Sequence, residues 1–307
     1  MNTFVPEGIG FLTPENQKYT ASVHALKEAF RTGRILEAKA VRCDREHNLY
    51  VQFPGLSGVI PREECALGIR EGTVRDIAIL SRVNKPVCFV VTAFCEKGGK
   101  EFAVLSRRKV QEQCMAQYIS KLVPGDVIDA VVTRMEPFGA FCDIGAGISA
   151  LLPIDAISVS RIPHPNVRFY TGQKIRVVVK GIDELGRITL SHKELLGTWA
   201  ENAAKFSAGE TVPGIVRSIE KYGIFVELAP NLAGLAEYVP GVCPGDAASV
   251  YIKSIHPDRM KIKLILVDHF AADAPDFHYR YPAVSHIDRW LYSSPESEKV
   301  IESVFSV

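Results

Sequence analysis

The stretch Pro124-Gly125-Asp126-Val127-Ile128-Asp129-Ala130-Val131-Val132 begins a series of short strand patterns that ends near Leu196. Its β-branched residues favour an extended strand directly after the Pro-Gly-Asp turn. A second strand is predicted through Phe138-Gly139-Ala140-Phe141-Cys142-Asp143-Ile144, and a third from Ile148 to Leu152. After a looser polar stretch, two more strands are predicted around the turn signal Asp183-Glu184-Leu185-Gly186.

These five strands occupy about seventy residues, with one long crossing between the third and the fourth. That arrangement predicts a small closed β-barrel of the oligonucleotide/oligosaccharide-binding (OB) type. Closure of the barrel leaves no sheet edge exposed.

Three elements of this barrel, taken together and in order, resemble the S1-type RNA-binding domain, the module repeated in bacterial ribosomal protein S1. They are Pro124-Gly125-Asp126, Phe138-Gly139-Ala140-Phe141, and Asp183 with Gly186-Arg187-Ile188 and Leu190-Ser191. The resemblance implies an OB-fold barrel that binds RNA. It extends over about residues 34–269, because weaker copies of the pattern precede and follow the middle one.

The copies restart near Gly33, Gly125 and Gly209, which indicates an internal repeat of whole domains. The predicted fold is mainly β: three tandem five-stranded OB-fold (S1-type) barrels joined by helical linkers, with an N-terminal helix and a C-terminal aromatic-rich tail. The predicted boundaries are an N-terminal helical arm 1–33, barrel 1 at 34–109, a linker helix 110–123, barrel 2 at 124–193, a linker helix 194–207, barrel 3 at 208–269 and a tail 270–307.

Both ends of the chain carry helix signals. Thr13-Pro14-Glu15 is typical of a helix start, and Gly33 of a helix end. In the tail, Ser294-Pro295-Glu296 predicts a short helix that includes Val300, Ile301, Val304 and Phe305. The tail also contains five aromatic residues in a short span, which we expect to dock on a barrel: Phe277, Tyr279, Tyr281, Trp290 and Tyr292.

Composition excludes several classes of protein. At 307 residues and 47% apolar residues, the chain has room for folded cores and is not of disordered type. Seven cysteines without C-x-x-C spacing predict reduced thiols in a cytoplasmic protein, with neither a disulfide framework nor a zinc site. The sequence shows no signal peptide and no apolar run of membrane-spanning length.

Charge is distributed unevenly along the chain. The formal net charge is only +1, but barrel 1 (34–109) contains fourteen Lys/Arg against nine Asp/Glu, whereas the middle and third barrels are nearly neutral. Barrel 1 is therefore the part of the chain with an electrostatic bias toward phosphate. It has His47 and Tyr50 where the other barrels have two aromatic rings, so it is expected to form a poor stacking platform.

Two aromatic pairs are the predicted binding residues. Phe138 and Phe141 share one face only if the backbone shifts register between them, and Gly139 permits such a bulge. Tyr222 and Phe225, around Gly223, repeat the pattern in barrel 3. Paired rings on a barrel face can stack unpaired bases, although one ring of each pair belonging to the core is the alternative.

The resemblance also implies that Asp183 and Arg187 lie beside the aromatic rings, with Arg187 contacting phosphate or a base. A turn-stabilising ion pair is the alternative for these two residues. In barrel 3, Lys261 takes the position of the arginine, and His256 roughly that of the aspartate. A histidine that many family members have in the third-strand motif is replaced by Pro153 and Glu237.

No catalytic, metal-binding or cofactor-binding pattern is found, so we expect a non-enzymatic protein without a cofactor. The first hypothesis is a cytoplasmic, monomeric protein that binds single-stranded mRNA, with the small ribosomal subunit as a partner and no membrane contact. The alternatives are a regulatory RNA-binding protein that is independent of ribosomes, and an OB-fold module that binds protein.

Overall fold

The structure, a computed structural model, describes residues 4–271 and 279–305. The chain divides into two compact units, one of residues 1–122 with 143–149 and the other of residues 123–142 with 150–307. The described residues are mainly β and include three closed five-stranded barrels, which confirms the predicted mainly β class with OB-type barrels. The division into separate domains at the predicted boundaries stays a prediction.

In the first unit, two helices precede the barrel: α1 (Pro14–Thr20) and α2 (Val23–Thr32). The strands of barrel 1 are β1 (Leu36–Cys43), β2 (Leu49–Phe53), β3 (Leu56–Ile60), β4 (Pro86–Lys97) and β5 (Lys100–Ser106). A short helix α3 (Ile77–Leu80) lies in the crossing between β3 and β4, and α4 (Arg108–Gln117) follows β5. Strand β3 pairs in parallel with β5, and β1 pairs with β4 to close the barrel.

The predicted N-terminal helix starts and ends where expected but is broken in the middle. Thr13 caps the start by accepting a hydrogen bond from the Asn16 N–H, and Gly33 ends α2 in the left-handed conformation. Between them, Ser22 is extended and its hydroxyl accepts from the Ala25 N–H at 3.2 Å. The prediction of one helix was wrong because this second cap starts a new helix.

The second unit contains two barrels. Barrel 2 is formed by β6 (Val127–Glu136), β7 (Gly139–Asp143), β8 (Ser149–Pro153), β9 (Lys174–Ile182) and β10 (Ile188–Ser191). Barrel 3 is formed by β11 (Thr211–Glu220), β12 (Gly223–Ala229), β13 (Leu232–Ala236), β14 (Ala247–His256) and β15 (Lys261–Phe270). Both have the strand connectivity of barrel 1, including the parallel contact between the third and fifth strands.

The interior of each barrel is filled by alternate residues of its strands, as a two-residue side-chain period requires. In barrel 3, Ile224 and Val226 are fully buried, whereas Phe225 between them faces outward and is partly exposed. In barrel 2, Ala140 and Cys142 are buried on either side of Phe141 in the same way. The outward position of the second ring in each predicted pair is thus set by strand alternation.

The linkers are helical only in part. Helix α4 covers most of the predicted first linker and is followed by a 3-10 turn at Ile119–Lys121. The predicted single helix of the second linker was wrong: a 3-10 turn at Lys193–Leu196 is separated from helix α5 (Trp199–Ala203). Gly197 has a φ of +82° at the break, and Thr198 forms a capping box with Glu201 that starts α5 afresh.

The tail was predicted to contain a short helix, and this was wrong. It forms two short antiparallel strands, β16 (Arg289–Leu291) and β17 (Glu302–Val304). The Ser293 hydroxyl stabilises the intervening turn, because it accepts from the Ile301 N–H and donates to the Lys299 carbonyl, each at 2.7 Å. Trp290 and Tyr292 belong to the core of barrel 3, whereas Phe277 lies outside the described residues.

Candidate nucleic-acid interface

Each predicted aromatic pair comes together on the outside of its barrel. The rings of Phe138 and Phe141 are 6.0 Å apart between centroids and nearly perpendicular, and those of Tyr222 and Phe225 are 6.1 Å apart with the same geometry. Phe138 is 55% exposed and Tyr222 is 69% exposed. Edge-to-face packing therefore leaves broad ring surface open to solvent in both barrels.

The rings meet for a different reason from the one predicted. Phe138 and Tyr222 do not lie in the strands; each occupies the two-residue turn directly before Gly139 or Gly223, where β7 and β12 begin. The bulges recorded on β11 and β12 lie between Val216 and Ser218 and after Glu227, away from Gly223. The predicted register shift at the glycine was therefore wrong in barrel 3, where Tyr222 lies in a turn and is not bound by strand alternation.

The glycine between the rings is required for close packing of the backbones. A Cβ at Gly139 would lie 2.5 Å from the carbonyl oxygen of Leu152 on the neighbouring strand, and a Cβ at Gly223 would collide with the carbonyl oxygen of Ala236. The first ring sits at the end of this tight strand pair, next to the second. The glycine thus shapes the platform through the close approach of two strands.

In barrel 3, Phe225 belongs to a row of outward-facing residues that crosses four neighbouring strands. Ser218 pairs with Phe225, Phe225 with Leu235, and Leu235 with Lys263. Lys263 is exposed, so a cation lies two strands from the Phe225 ring on the same face. Lys263 was not among the predicted binding residues, although its spacing of two from Lys261 places both on one face of β15.

In barrel 2, a different strand supplies the cation. The Arg134 guanidinium on β6 lies 4.7 Å from the centroid of the Phe141 ring, and its Nε is 3.2 Å from Glu136. In the same barrel, Leu151 of β8 pairs in parallel with Thr189 of β10. Arg134 was also not among the predicted binding residues. Its place beside Phe141 depends on the register between β6 and β7, which residue spacing does not reveal.

Asp183 and Arg187 do come together, at the turn between β9 and β10. One Asp183 carboxylate oxygen accepts from the backbone N–H groups of Leu185 and Arg187, and the other accepts from the Arg187 Nε at 2.7 Å. The hydrogen bond from the Arg187 N–H, with that from its side chain, lowers the pKa of Asp183. Asp183 is therefore engaged in the turn, whereas the Arg187 side chain remains 76% exposed beside it.

The corresponding turn of barrel 3 is built differently. His256 and Lys261 pair across its base, and Met260 adopts a φ of +49° before Lys261. The His256 ring contacts the Ser254 hydroxyl at 2.8 Å. Lys261 is exposed at the start of β15, and no carboxylate ion pair like that of Asp183 and Arg187 is found for it among the described residues.

In barrel 1, the ring at the same place is already covered. The Arg42 guanidinium lies 3.7 Å from the centroid of the Tyr50 ring, and the Tyr50 hydroxyl donates to Asp44 at 3.0 Å. Arg42 pairs with Tyr50 across the strands, so this contact is part of the barrel itself. The lone aromatic predicted for barrel 1 therefore has one face occupied by an arginine of the same barrel.

Across residues 4–271 and 279–305, no cluster of three or more His, Cys, Asp or Glu side chains has the arrangement to hold a metal ion. In the same part of the chain, no helix combines the length and apolar character needed to cross a membrane.

Comparison with known proteins identifies the middle barrel. Residues 121–193 match the family described as the S1 RNA binding domain. This range contains the Phe138–Phe141 pair and the Asp183–Arg187 turn. The elements that carried the resemblance in the sequence thus lie within the matched domain.

Longer similarity is found to small ribosomal subunit protein bS1 of several bacteria. The Leuconostoc lactis protein is 32% identical over 213 residues, which is 67% of this chain and 47% of that protein. The Rhizobium meliloti protein is 28% identical over 299 residues (92% and 51%), and the Rhodopseudomonas palustris protein is 35% identical over 232 residues (70% and 40%). The chain thus spans about half the length of the curated relatives it matches, and it is an S1-like protein whose middle barrel is an S1-type RNA-binding domain.

Proposed function

We propose that this chain is a non-enzymatic protein that binds single-stranded RNA on barrels 2 and 3. The observation that supports this most directly is the ring pair on the outside of each barrel, at 6.0 and 6.1 Å, with one exposed and one partly exposed ring and a cation on the same face, Arg134 in barrel 2 and Lys263 in barrel 3. Rings stack on bases of any sequence, and the cations Arg134 and Lys263 favour the phosphate backbone.

Single strands are the preferred ligand in this proposal because the rings need the flat faces of unpaired bases. In a duplex, those faces are stacked on neighbouring base pairs and cannot reach a ring on a barrel surface. Phe138, Phe141, Tyr222 and Phe225 would stack bases, while Arg187 and Lys261 would contact phosphate. Asp183 would hold Arg187 in position through the ion pair at 2.7 Å.

The biological setting that we propose is translation. The relatives are named as proteins of the small ribosomal subunit, which supports a role for this chain on mRNA at the ribosome, in the cytoplasm. We propose that it acts as a monomer without a cofactor. A regulatory RNA-binding protein that works away from the ribosome remains the alternative.

We propose a different role for barrel 1, namely contact with protein. It lacks the second ring that Phe138 and Tyr222 provide in the other barrels, and its one ring, Tyr50, is stacked by Arg42 with its hydroxyl bound to Asp44. Part of its basic excess over residues 34–109 is also neutralised by carboxylates outside that range, since Arg107 pairs with the buried Glu7 and Arg108 pairs with Glu112. These contacts favour the protein-binding alternative for this barrel.

The first experiment is a titration of a fluorescently labelled, uridine-rich single strand with the purified chain. Saturable binding is expected, and no binding at low salt would contradict the proposed function. Co-sedimentation with small ribosomal subunits then separates the ribosomal role from the regulatory one: a pellet that contains the protein supports the former, whereas protein that binds RNA but stays in the supernatant supports the latter.

A charge variant tests the role of barrel 1. Lys39 and Arg45 are exposed cations of this barrel, and replacing both with Gln removes two charges. If barrel 1 does not touch RNA, the slope of log affinity against log salt will be that of the wild type. If both residues contact phosphate, the slope will fall by about 1.4, from about 0.7 for each contact.

A further inference from the structure

Barrel 3 exposes a residue pair that the other two barrels bury. Tyr251 of β14 lies directly opposite Ile265 of β15, and these side chains are 37% and 48% exposed. Tyr251 also pairs with Thr211, the first residue of β11. In barrel 2 the corresponding pair is Val178 with Ser191, since Val178 pairs in the same way with Val127, the first residue of β6.

The equivalent positions are covered by the segment that follows the fifth strand. Val178 and Ser191 are fully buried, and Val178 packs against Leu195 of the following 3-10 turn and against Phe305. In barrel 1, Val90 and Ser106 form the same pair and are buried, and α4 begins two residues after Ser106. In barrel 3, β15 instead continues as a strand to Phe270 and leaves the pair open.

This open pair continues the row of outward residues that starts at the aromatic platform. Phe225, Leu235 and Lys263 face one another across neighbouring strands. Ile265 is two residues beyond Lys263 on the same face of β15, and Tyr251 lies beside it on β14. With strands about 4.8 Å apart and about 3.3 Å per residue, Tyr251 is roughly 16 Å from Phe225 along the sheet.

The charges around Tyr251 suit a polyanion. Lys253 is two residues away on the same face of β14 and is exposed, as are Lys261 and Lys263 on β15. Of the nearby carboxylates, Glu210 accepts a hydrogen bond from the Ser207 N–H. Glu237 follows Ala236, the partner of Leu264, and so comes beside Ile265, and Asp268 pairs with Ser249, two residues from Tyr251; the three lysines outnumber these two exposed carboxylates. Lysines interleaved with an exposed ring are the pattern of a surface that tracks an RNA backbone and stacks its bases.

We propose that Tyr251 is a second base-stacking position of barrel 3, so that single-stranded RNA continues from Tyr222 and Phe225 across Lys263 to Tyr251. The inference rests on the proposed function and deepens it. The RNA path is longer on barrel 3 than on barrel 2, because in barrel 2 the segment after the fifth strand occupies the corresponding place. The absence of the Leu-Ser pattern at Leu264-Ile265 marks this difference in the sequence.

The test compares three substitutions in the full chain, with a labelled uridine-rich single strand as the probe. Tyr251→Leu keeps apolar bulk but removes the ring, and should lower the affinity about 5- to 150-fold, the loss of one stacked base. Tyr251→Phe should bind like the wild type. Tyr170→Leu removes a more exposed ring elsewhere in the second unit and should also bind like the wild type.

A second measurement does not depend on any variant's folding. Oligonucleotides that carry 4-thiouridine are photo-crosslinked to the wild-type chain, and the modified peptides are mapped. A crosslink on the peptide that contains Tyr251 is expected, and its absence, with crosslinks near Phe225 present, overturns the inference.

Failure of the inference is distinct from failure of the proposed function. If Phe225→Leu weakens binding but Tyr251→Leu does not, the proposed function stands and the inference falls; the Tyr251 face is then available for a protein instead. If the wild type binds no single-stranded RNA at all, both are overturned.

Discussion

Single residues decide where the exposed aromatic rings of this chain lie. Phe141 and Phe225 face outward because buried residues flank them in β7 and β12, and Phe138 and Tyr222 reach them from the preceding turns. Residue types and spacing were enough to predict both pairs. The nearness of the cations Arg134 and Lys263 to the rings was not predictable, because it depends on which residues face one another across strands that contain bulges.

The first prediction at this scale concerns Phe141. Replacing it with Leu should weaken binding of single-stranded RNA by about 1–3 kcal/mol, because one stacked base is lost. Phe141→Tyr, which retains a ring, should bind normally. Affinity is measured by fluorescence anisotropy, and a thermal melt of each variant accompanies it. An unchanged affinity together with a lower melting temperature would assign Phe141 to the core.

The second prediction separates the two roles considered for Arg187. If Arg187 contacts phosphate, Arg187→Gln should reduce the slope of log affinity against log salt by about 0.7. Asp183 acts by holding the Arg187 side chain in place. The double variant Asp183→Ala/Arg187→Gln should therefore have the same salt slope as Arg187→Gln alone. Identical slopes for the wild type and Arg187→Gln would instead mean that the ion pair only stabilises its turn.

At the scale of elements, the strand pattern and the turns were predictable, but the continuity of helices was not. Ser22 and Thr198 each start a new helix inside a stretch with helical spacing, because their hydroxyls cap free backbone N–H groups. The structure of the tail was harder to predict, because Ser294-Pro295-Glu296 is a good helix start. Only the contacts of the Ser293 hydroxyl show that the segment forms a hairpin turn. The local sequence there is compatible with both a helix start and a turn, and tertiary contacts determine which one forms.

Gly139, between the paired rings of barrel 2, should be required for the close approach of β7 and β8. Gly139→Ala should destabilise the fold by about 1–3 kcal/mol, because its Cβ would lie 2.5 Å from the Leu152 carbonyl oxygen and the backbone must shift. Gly181→Ala is the matched control in the same barrel, since a Cβ there meets nothing within 4 Å. Urea unfolding of both variants tests this, and equal stability of the two would contradict the close-approach explanation.

The contact between His192, at the end of barrel 2, and Tyr281 of the tail should respond to pH. His192 is buried, with Nδ1 3.0 Å from the Ile157 carbonyl oxygen and Nε2 2.9 Å from the Tyr281 hydroxyl. Burial lowers the pKa of His192 to about 4. Below its usual pKa near 6.5, the unfolded chain takes up a proton that the folded chain does not. The stability of the second unit should therefore fall as pH drops from about 6.5 to 4, by up to about 3 kcal/mol.

Tryptophan fluorescence is the measurement for this prediction, because Trp199 and Trp290 are the two tryptophans of the chain and both lie in the second unit. The urea midpoint is compared at pH 6.5 and pH 4.5 for the wild type and for His192→Leu. At pH 6.5, His192→Leu should have a lower urea midpoint than the wild type. Its midpoint should fall less than that of the wild type between pH 6.5 and pH 4.5. An equal loss in both proteins would exclude His192 as the source.

At the scale of the whole molecule, the charge of the sequence overstated the electrostatic bias of barrel 1. Arg107 is buried and donates to both carboxylate oxygens of Glu7, and Arg108 donates to Glu64 and Glu112. A count of charged residues cannot show that these guanidinium groups are paired inside the fold. Barrels 2 and 3 are nearly neutral, so the proposed binding depends on aromatic stacking more than on net charge.

The most direct test of the proposed function compares two forms of one RNA. A labelled uridine-rich single strand and the same strand annealed to its complement are titrated with the full chain at one salt concentration. Stacking on the Phe138–Phe141 and Tyr222–Phe225 pairs needs unpaired bases, so the single strand should bind about tenfold or more tighter than the duplex, about the contribution of one stacked base. Equal or tighter binding of the duplex would contradict the proposal that these rings form the RNA-binding surface.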